Sequence, residues 1–162
     1  MKRIFVLLLL VSAMQVVHAQ APLYLTQRTP PPSVLLLPDG VTKWNLKSNL
    51  HRGKSLFIIF FSPTCDHCKH ETEDLIKNIN KFKGVQIVMA TTQPFDEMKA
   101  FANKYKVGNY GITIGRDIAY VMAPYFEIGQ LPFMAVYDRN KKFVSKFEGT
   151  IGMPKILKAL GR

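Results

Sequence analysis

The sequence predicts an α/β domain with a mixed, mostly parallel central sheet covered by helices on both faces. Three observations carry this. Apolar strand-like runs alternate with helix-periodic segments along the chain. Ser55 to Phe61 and Val85 to Ala90 are apolar with little or no polar alternation, the mark of strands buried on both faces. Strands separated by a helix need a crossover and so run parallel.

The elements follow in order. Ser33 to Leu37 is a short strand, Pro38-Asp39-Gly40 a turn and Val41 to Trp44 the returning strand. Leu46 to Leu50 forms a helical turn before His51-Arg52-Gly53-Lys54, and Ser55 to Phe61 is the first buried strand. Cys65 to about Lys81 is helical, with Cys68, Leu75, Ile76 and Ile79 inward and Glu73, Asp74, Lys77 and Lys81 toward water. Val85 to Ala90 is the next strand, and Pro94 to Tyr105 a helix that turns Phe95, Met98, Phe101 and Ala102 inward. Gly111 to Ile114 is a short strand, followed by a helix near Asp117 to Tyr125. Phe133 to Tyr137 and Lys142 to Phe147 are strands joined by a tight turn at Asp138 to Lys141, and so pair antiparallel. A helix from Met153 to Leu160 closes the domain.

Three segments are expected. Residues 1–19 have the form of a cleaved secretory signal: Lys2 and Arg3, an apolar core from Ile4 to Val11, and Val17-His18-Ala19 before the cut. The apolar stretch Ile4 to Val17 is shorter than the roughly 20 residues of a membrane span, and no cysteine follows it for lipid attachment. Residues 20–32, with the proline-rich run Pro22 to Pro32, read as an extended linker, and 33–162 as one domain. The mature chain is thus expected in the periplasm or outside the cell. Removing Lys2 and Arg3 from 22 basic residues leaves 20 against 11 acidic ones, a charge of +9. The lysines and arginines are scattered without interleaved aromatics, so nucleic acid is not an expected partner and the charge reads as a solvated face biased toward anions.

The chemistry sits in Cys65-Asp66-His67-Cys68, which holds the chain's only two cysteines. At a strand-to-helix junction the first sulfur meets unpaired N–H groups and the positive end of the helix dipole, while the second lies one turn on, within bonding reach. This is dithiol redox chemistry and calls for no cofactor or metal. The alternatives at this level are a structural disulfide, whose two-residue loop constrains little chain entropy, and half of a metal site.

Cys65-x-x-Cys68 after a buried strand, with Leu131-Pro132 at the head of a later one, resembles the thioredoxin fold. The likeness runs from about Leu36 to Leu160 and is closest to the exported TlpA/ResA-like branch of thiol-disulfide oxidoreductases. Asp39-Gly40, Leu50, Gly53-Lys54 and Phe60-Phe61-Ser62-Pro63-Thr64-Cys65 carry its first half. Asp117, Ala123, Tyr125, Ile128 and Leu131-Pro132 carry the second. The resemblance implies a thioredoxin-like three-layer sandwich and a cis bond at Pro132 packed against the cysteines. It also implies a Leu131 backbone free to pair with extended substrate, and a proton-transfer role for Glu71 on the Cys68 side of the helix. Thr64 stands where the family usually has tryptophan, and Ile59 where thioredoxin has a buried aspartate. An aromatic cover is then left to Phe61 or Phe133, which with Leu131 and Tyr125 would make an apolar substrate rim. His67, as in oxidases of the DsbA kind, pulls the couple in the oxidising direction, whereas Asp66 acts oppositely.

Cys65 is then the nucleophile and Cys68 the resolving thiol, with protein thiols and disulfides as substrates, a membrane or exported redox partner, and a monomeric chain. Reduction is the expected direction. Two rivals use the same fold. A thiol peroxidase would take Ser62 as the hydroxyl near a peroxidatic Cys65, but Ile58 stands where peroxiredoxins carry proline. A soft-metal, copper-carrying protein would use Cys65, Cys68 and His70, because His67 and Cys68, adjacent on a helix, diverge by about 100°.

Overall fold

A computed structural model describes residues 21–162; the expected signal at residues 1–19 lies outside the described residues. Fully apolar side chains set the centre. All six residues of strand β3 (Ser55–Phe60) are buried, as are all five of β6 (Phe133–Tyr137) and six of seven in β4 (Val85–Thr91). With β1 (Val34–Leu36), β2 (Lys43–Asn45), β5 (Thr113–Asp117) and β7 (Phe143–Glu148) they form one sheet in the order β2-β1-β5-β4-β3-β6-β7. The helices are α1 (Leu23–Thr26), α2 (Asp66–Lys77), α3 (Phe95–Tyr105), α4 (Met122–Phe126) and α5 (Met153–Ala159).

The period-2 alternation of strand side chains divides the core into two layers. Phe57 and Ile59 of β3, Ile87 and Met89 of β4, and Met134 and Val136 of β6 pack with Cys68, Leu75, Met98, Phe101 and Ile156 from α2, α3 and α5. Leu56, Ile58, Phe60, Val88, Ala90, Phe133, Ala135 and Tyr137 point the other way, toward Tyr24 of α1 and Met122, Tyr125 and Phe126 of α4. The result is the expected three-layer α/β arrangement. Parallel pairing is confined to β3/β4 and β4/β5; β1/β2, β1/β5, β3/β6 and β6/β7 are antiparallel. The sheet is therefore mixed but less parallel than expected. The chain re-enters through the short α4 and Leu131-Pro132 with β6 reversed against β3.

Two local features hold the β1 side. Gly115 lets β5 approach β1 closely, since a Cβ there would lie 2.8 Å from Leu35 Cβ and 2.9 Å from the Leu36 carbonyl oxygen. Asp117 is fully buried and accepts hydrogen bonds from Ser33 Oγ (2.9 Å) and the Met122 N–H (2.8 Å), tying the start of β1 to α4. The proline-rich segment 22–32 packs on the domain. Tyr24 meets Phe143 edge-on at 5.1 Å, the Phe143 N–H donates to the Arg28 carbonyl at 2.9 Å, and the Tyr125 hydroxyl donates to the Thr29 carbonyl at 2.5 Å.

Candidate active site

The chain leaves β3 at Phe60, paired with Phe133 of β6, and turns through Ser62-Pro63-Thr64 into α2. The turn is held by the Cys65 N–H donating to the Ser62 carbonyl (3.2 Å) and by the Ser62 and Thr64 hydroxyls 3.0 Å apart. Cys65 is the N-cap of α2. With extended backbone (φ −75°, ψ 120°), it presents Sγ to the Cys68 N–H, which donates to it at 3.3 Å. This is a serine-type cap made with sulfur: a helix start leaves N–H groups without intrahelical partners, and they favour negative charge on the atom that fills the cap.

Both thiols are free, and their surroundings differ. Cys65 is half-buried, whereas Cys68 is 1% exposed inside the α2 core layer. Burial first, then its hydrogen bond with Cys65, pushes the Cys68 thiol up to about 12, with the Ser62 backbone opposing. One sulfur thus reaches solvent at the start of the helix, and the other is held protonated in the core layer.

Glu71, one turn beyond Cys68, is 2% exposed, and neither carboxylate oxygen has a hydrogen-bond partner among the described residues. Burial, and then the charge of Asp74, raises its pKa; the Ile151 N–H approaches and opposes this, short of hydrogen-bond geometry. Asp66 and His67 point outward. Asp66 pairs with Lys69 at 2.8 Å, and that hydrogen bond lowers its pKa. His67 Nδ1 lies 3.2 Å from Thr150 Oγ1. Leu131-Pro132 is a cis peptide immediately before β6, at the sheet end where β3 delivers Cys65. Leu131 is half-buried against both core layers, and its backbone groups have no backbone hydrogen-bond partner among the described residues.

The expected aromatic rim is not there. Phe61 is buried against Phe101 (4.6 Å between rings), Phe133 lies on the far face of the sheet against Phe126 (4.9 Å), and Tyr125 is buried with its hydroxyl on Thr29. Strand alternation sends Phe133 away from the sulfurs. Nor do the soft-metal residues converge: His70 sits 3.9 Å from Glu73, His67 faces Thr150, and among the described residues no three His, Cys, Asp or Glu side chains are grouped to hold an ion. The structure adds Thr150 and Ile151, in the loop between β7 and α5, which touch His67 and approach Glu71. Nothing in their residue type marks them; only Gly149 beside them (φ 73°), whose N–H donates to the Pro132 carbonyl at 2.9 Å, hints at a turn there.

Comparison with known proteins gives the family and the fold. The model of the AhpC/TSA family matches residues 30–154. The structure is similar to MTB DsbF (TM-score 0.65, 20% identity, covering 86% of this chain and 96% of that one). It is similar too to a secreted Mycobacterium tuberculosis disulfide oxidoreductase homologous to E. coli DsbE (TM-score 0.65, 19% identity, 80% and 95%). These likenesses show a thioredoxin-type fold. Bloodstream-specific protein 2 of Trypanosoma brucei brucei is 26% identical over 106 residues, 64% of this chain; the chain spans about a fifth of that relative, the match covering 20% of it.

Proposed function

The chain belongs to the AhpC/TSA family and has a thioredoxin-like fold; from that premise we propose that it is an exported thiol-disulfide oxidoreductase acting on protein substrates, chiefly as a reductase. The observation that carries this is the asymmetry of the two sulfurs: Cys65 capping a helix within reach of solvent, Cys68 buried and hydrogen-bonded to it.

In this reading the Cys65 thiolate attacks one sulfur of a substrate disulfide. A Cys65–substrate bond forms, and the other substrate sulfur leaves as thiolate and takes a proton. Cys68 must then lose its proton, and Glu71, three residues further along α2, without hydrogen-bond partners among the described residues and raised in pKa, is the base that takes it. The Cys68 thiolate attacks Cys65 Sγ, closes the Cys65–Cys68 disulfide and expels the second substrate thiolate. The protein loses two electrons and the substrate disulfide gains them; the steps in reverse oxidise a dithiol. Leu131 and Pro132 supply the backbone edge for an extended segment, and Asp66 and His67 tune the couple from outside. Reduction is favoured by the resemblance to TlpA/ResA-like proteins, with electrons returned by a membrane or exported partner. Export rests on the form of residues 1–19, so the secreted protein should begin at Gln20 on N-terminal sequencing.

Substrate trapping tests the assignment. Cys68→Ala should accumulate mixed disulfides through Cys65 when incubated with an extract, and Cys65→Ala should not. Equal trapping by the two variants overturns it.

A further inference from the structure

Beside the nucleophile, on the side away from Leu131-Pro132, α2 and α3 leave a cleft of about 250 Å³ lined by Pro63, Lys69, Glu97, Ala100, Phe101, Lys104 and Tyr105. Pro63 is two residues before Cys65 and Lys69 one helical turn after it, so the cleft adjoins the segment that carries the reacting sulfur. Its floor is apolar: Pro63, Ala100 and the buried ring of Phe101. Its polar groups are unevenly matched. Lys69, Lys104 and the Tyr105 hydroxyl are donors, and Glu97 is the sole carboxylate in the lining.

One of these donors is orphaned. The Tyr105 hydroxyl is buried with no hydrogen-bond partner among the described residues, so it lies beneath the cleft surface and leaves the two lysines as the donors an incoming group meets. Tyr105 is otherwise fixed, its ring tilted on Phe101 at 4.5 Å with Lys104 Nζ 5.1 Å from its centroid. Lys69 holds Asp66 at 2.8 Å across an exposed pair, an interaction weak enough to be exchanged for a second carboxylate. Without Lys2 and Arg3 of the expected signal, 20 basic residues against 11 acidic ones leave the mature chain at +9, which steers acidic segments toward it.

We propose that this cleft is a substrate subsite, and that it takes an acidic side chain within a few residues of the substrate's reacting cysteine. The methylene stem of a glutamate lies on Phe101 and Pro63, and its carboxylate accepts from Lys104 and Lys69. This rests on the oxidoreductase reading above and adds a sequence preference to it. It is independent of the Leu131-Pro132 edge, which would bind backbone and carry no charge selection.

The test compares two disulfide-linked peptides that differ only in a Glu or a Lys two residues from the cysteine, with 2-hydroxyethyl disulfide, neutral and too small to fill the cleft, as reference. Each is mixed with the reduced protein and its rate is divided by the reference rate of the same variant. The Glu peptide should react about three- to fivefold faster than the Lys peptide, on the scale of an exposed to half-buried ion pair. Lys104→Glu should abolish or invert that ratio, Ala100→Trp should abolish it by filling the cleft, and Glu97→Gln should enlarge it. Ala100, Lys104 and Glu97 are exposed, so these variants keep the fold. A ratio near one in the parent, or a ratio that survives both Lys104→Glu and Ala100→Trp, overturns the subsite. Failure of the reduced protein to react with 2-hydroxyethyl disulfide sinks the oxidoreductase reading instead.

Discussion

At the scale of single residues, the buried Glu71 side chain, without a hydrogen-bond partner among the described residues, carries a cost to the fold that depends on pH. A carboxyl whose pKa is raised in the native state binds its proton more tightly folded than unfolded. Folding stability therefore falls as pH rises from the ordinary glutamate value of 4.5 through the raised native value, and is level above it. Glu71→Gln stays neutral throughout. Its melting temperature should match the parent's at pH 4 and exceed it at pH 8, while thiol-disulfide turnover slows and loses the limb of its pH profile that belongs to the carboxylate. A melting difference that does not change with pH would mean that Glu71 is already charged and solvated in the native protein. Cys68 gives the companion outcome: with its thiol pushed up to about 12 and only 1% of it exposed, it should resist alkylation at pH 8 while Cys65 reacts. Equal labelling of both sulfurs in the folded protein would contradict the asymmetry on which the mechanism stands.

Elements show how far sequence logic reaches. Ser55 to Phe61 and Phe133 to Tyr137 are legible as strands because they are almost wholly apolar, and the structure places them within a residue of expectation. The helix at the cysteines is read too long. Asn78 leaves helical geometry (φ −101°, ψ 8°), and Ile79–Phe82 tightens into a 3₁₀ turn that brings Phe82 onto Phe57, a tertiary contact that periodicity does not reveal. The direction of β6 is illegible for another reason: a short helix between strands permits either sense, and only the pairing of Phe60 with Phe133 decides it. At the candidate site, the cysteine spacing and Pro132 are visible as motif. The α3 wall with Tyr105 is not, because it depends on where α3 lands beside α2. The close contact of β5 with β1 is likewise a matter of register. Gly115→Ala would push a methyl group into Leu35 and the Leu36 carbonyl, so it should destabilise by about 1–3 kcal/mol in denaturant titration. A loss under 0.5 kcal/mol would show that β1 moves aside freely.

Across the whole molecule the two core layers divide the labour. The layer with α2, α3 and α5 holds Cys68, Glu71 and the wall of the cleft. The opposite layer is closed by the segment from Leu23 to Thr29, where Tyr24 packs on Phe143 and Phe126 and the Thr29 carbonyl accepts from both Tyr125 and Tyr137. The central strands β3, β4 and β6 between them are buried on both sides, so damage to the second layer should cost stability without reaching the sulfurs. Tyr24→Ala removes most of a buried aromatic and two ring contacts, a loss of about 2 kcal/mol or more. For a domain of this size that lowers the melting temperature by about 5 °C or more. The rate of Cys65 with 2-hydroxyethyl disulfide, measured well below the melting point, should not change. If that rate falls together with the melting temperature, the N-terminal segment reaches the active site through the sheet, and the separation of the two layers is wrong.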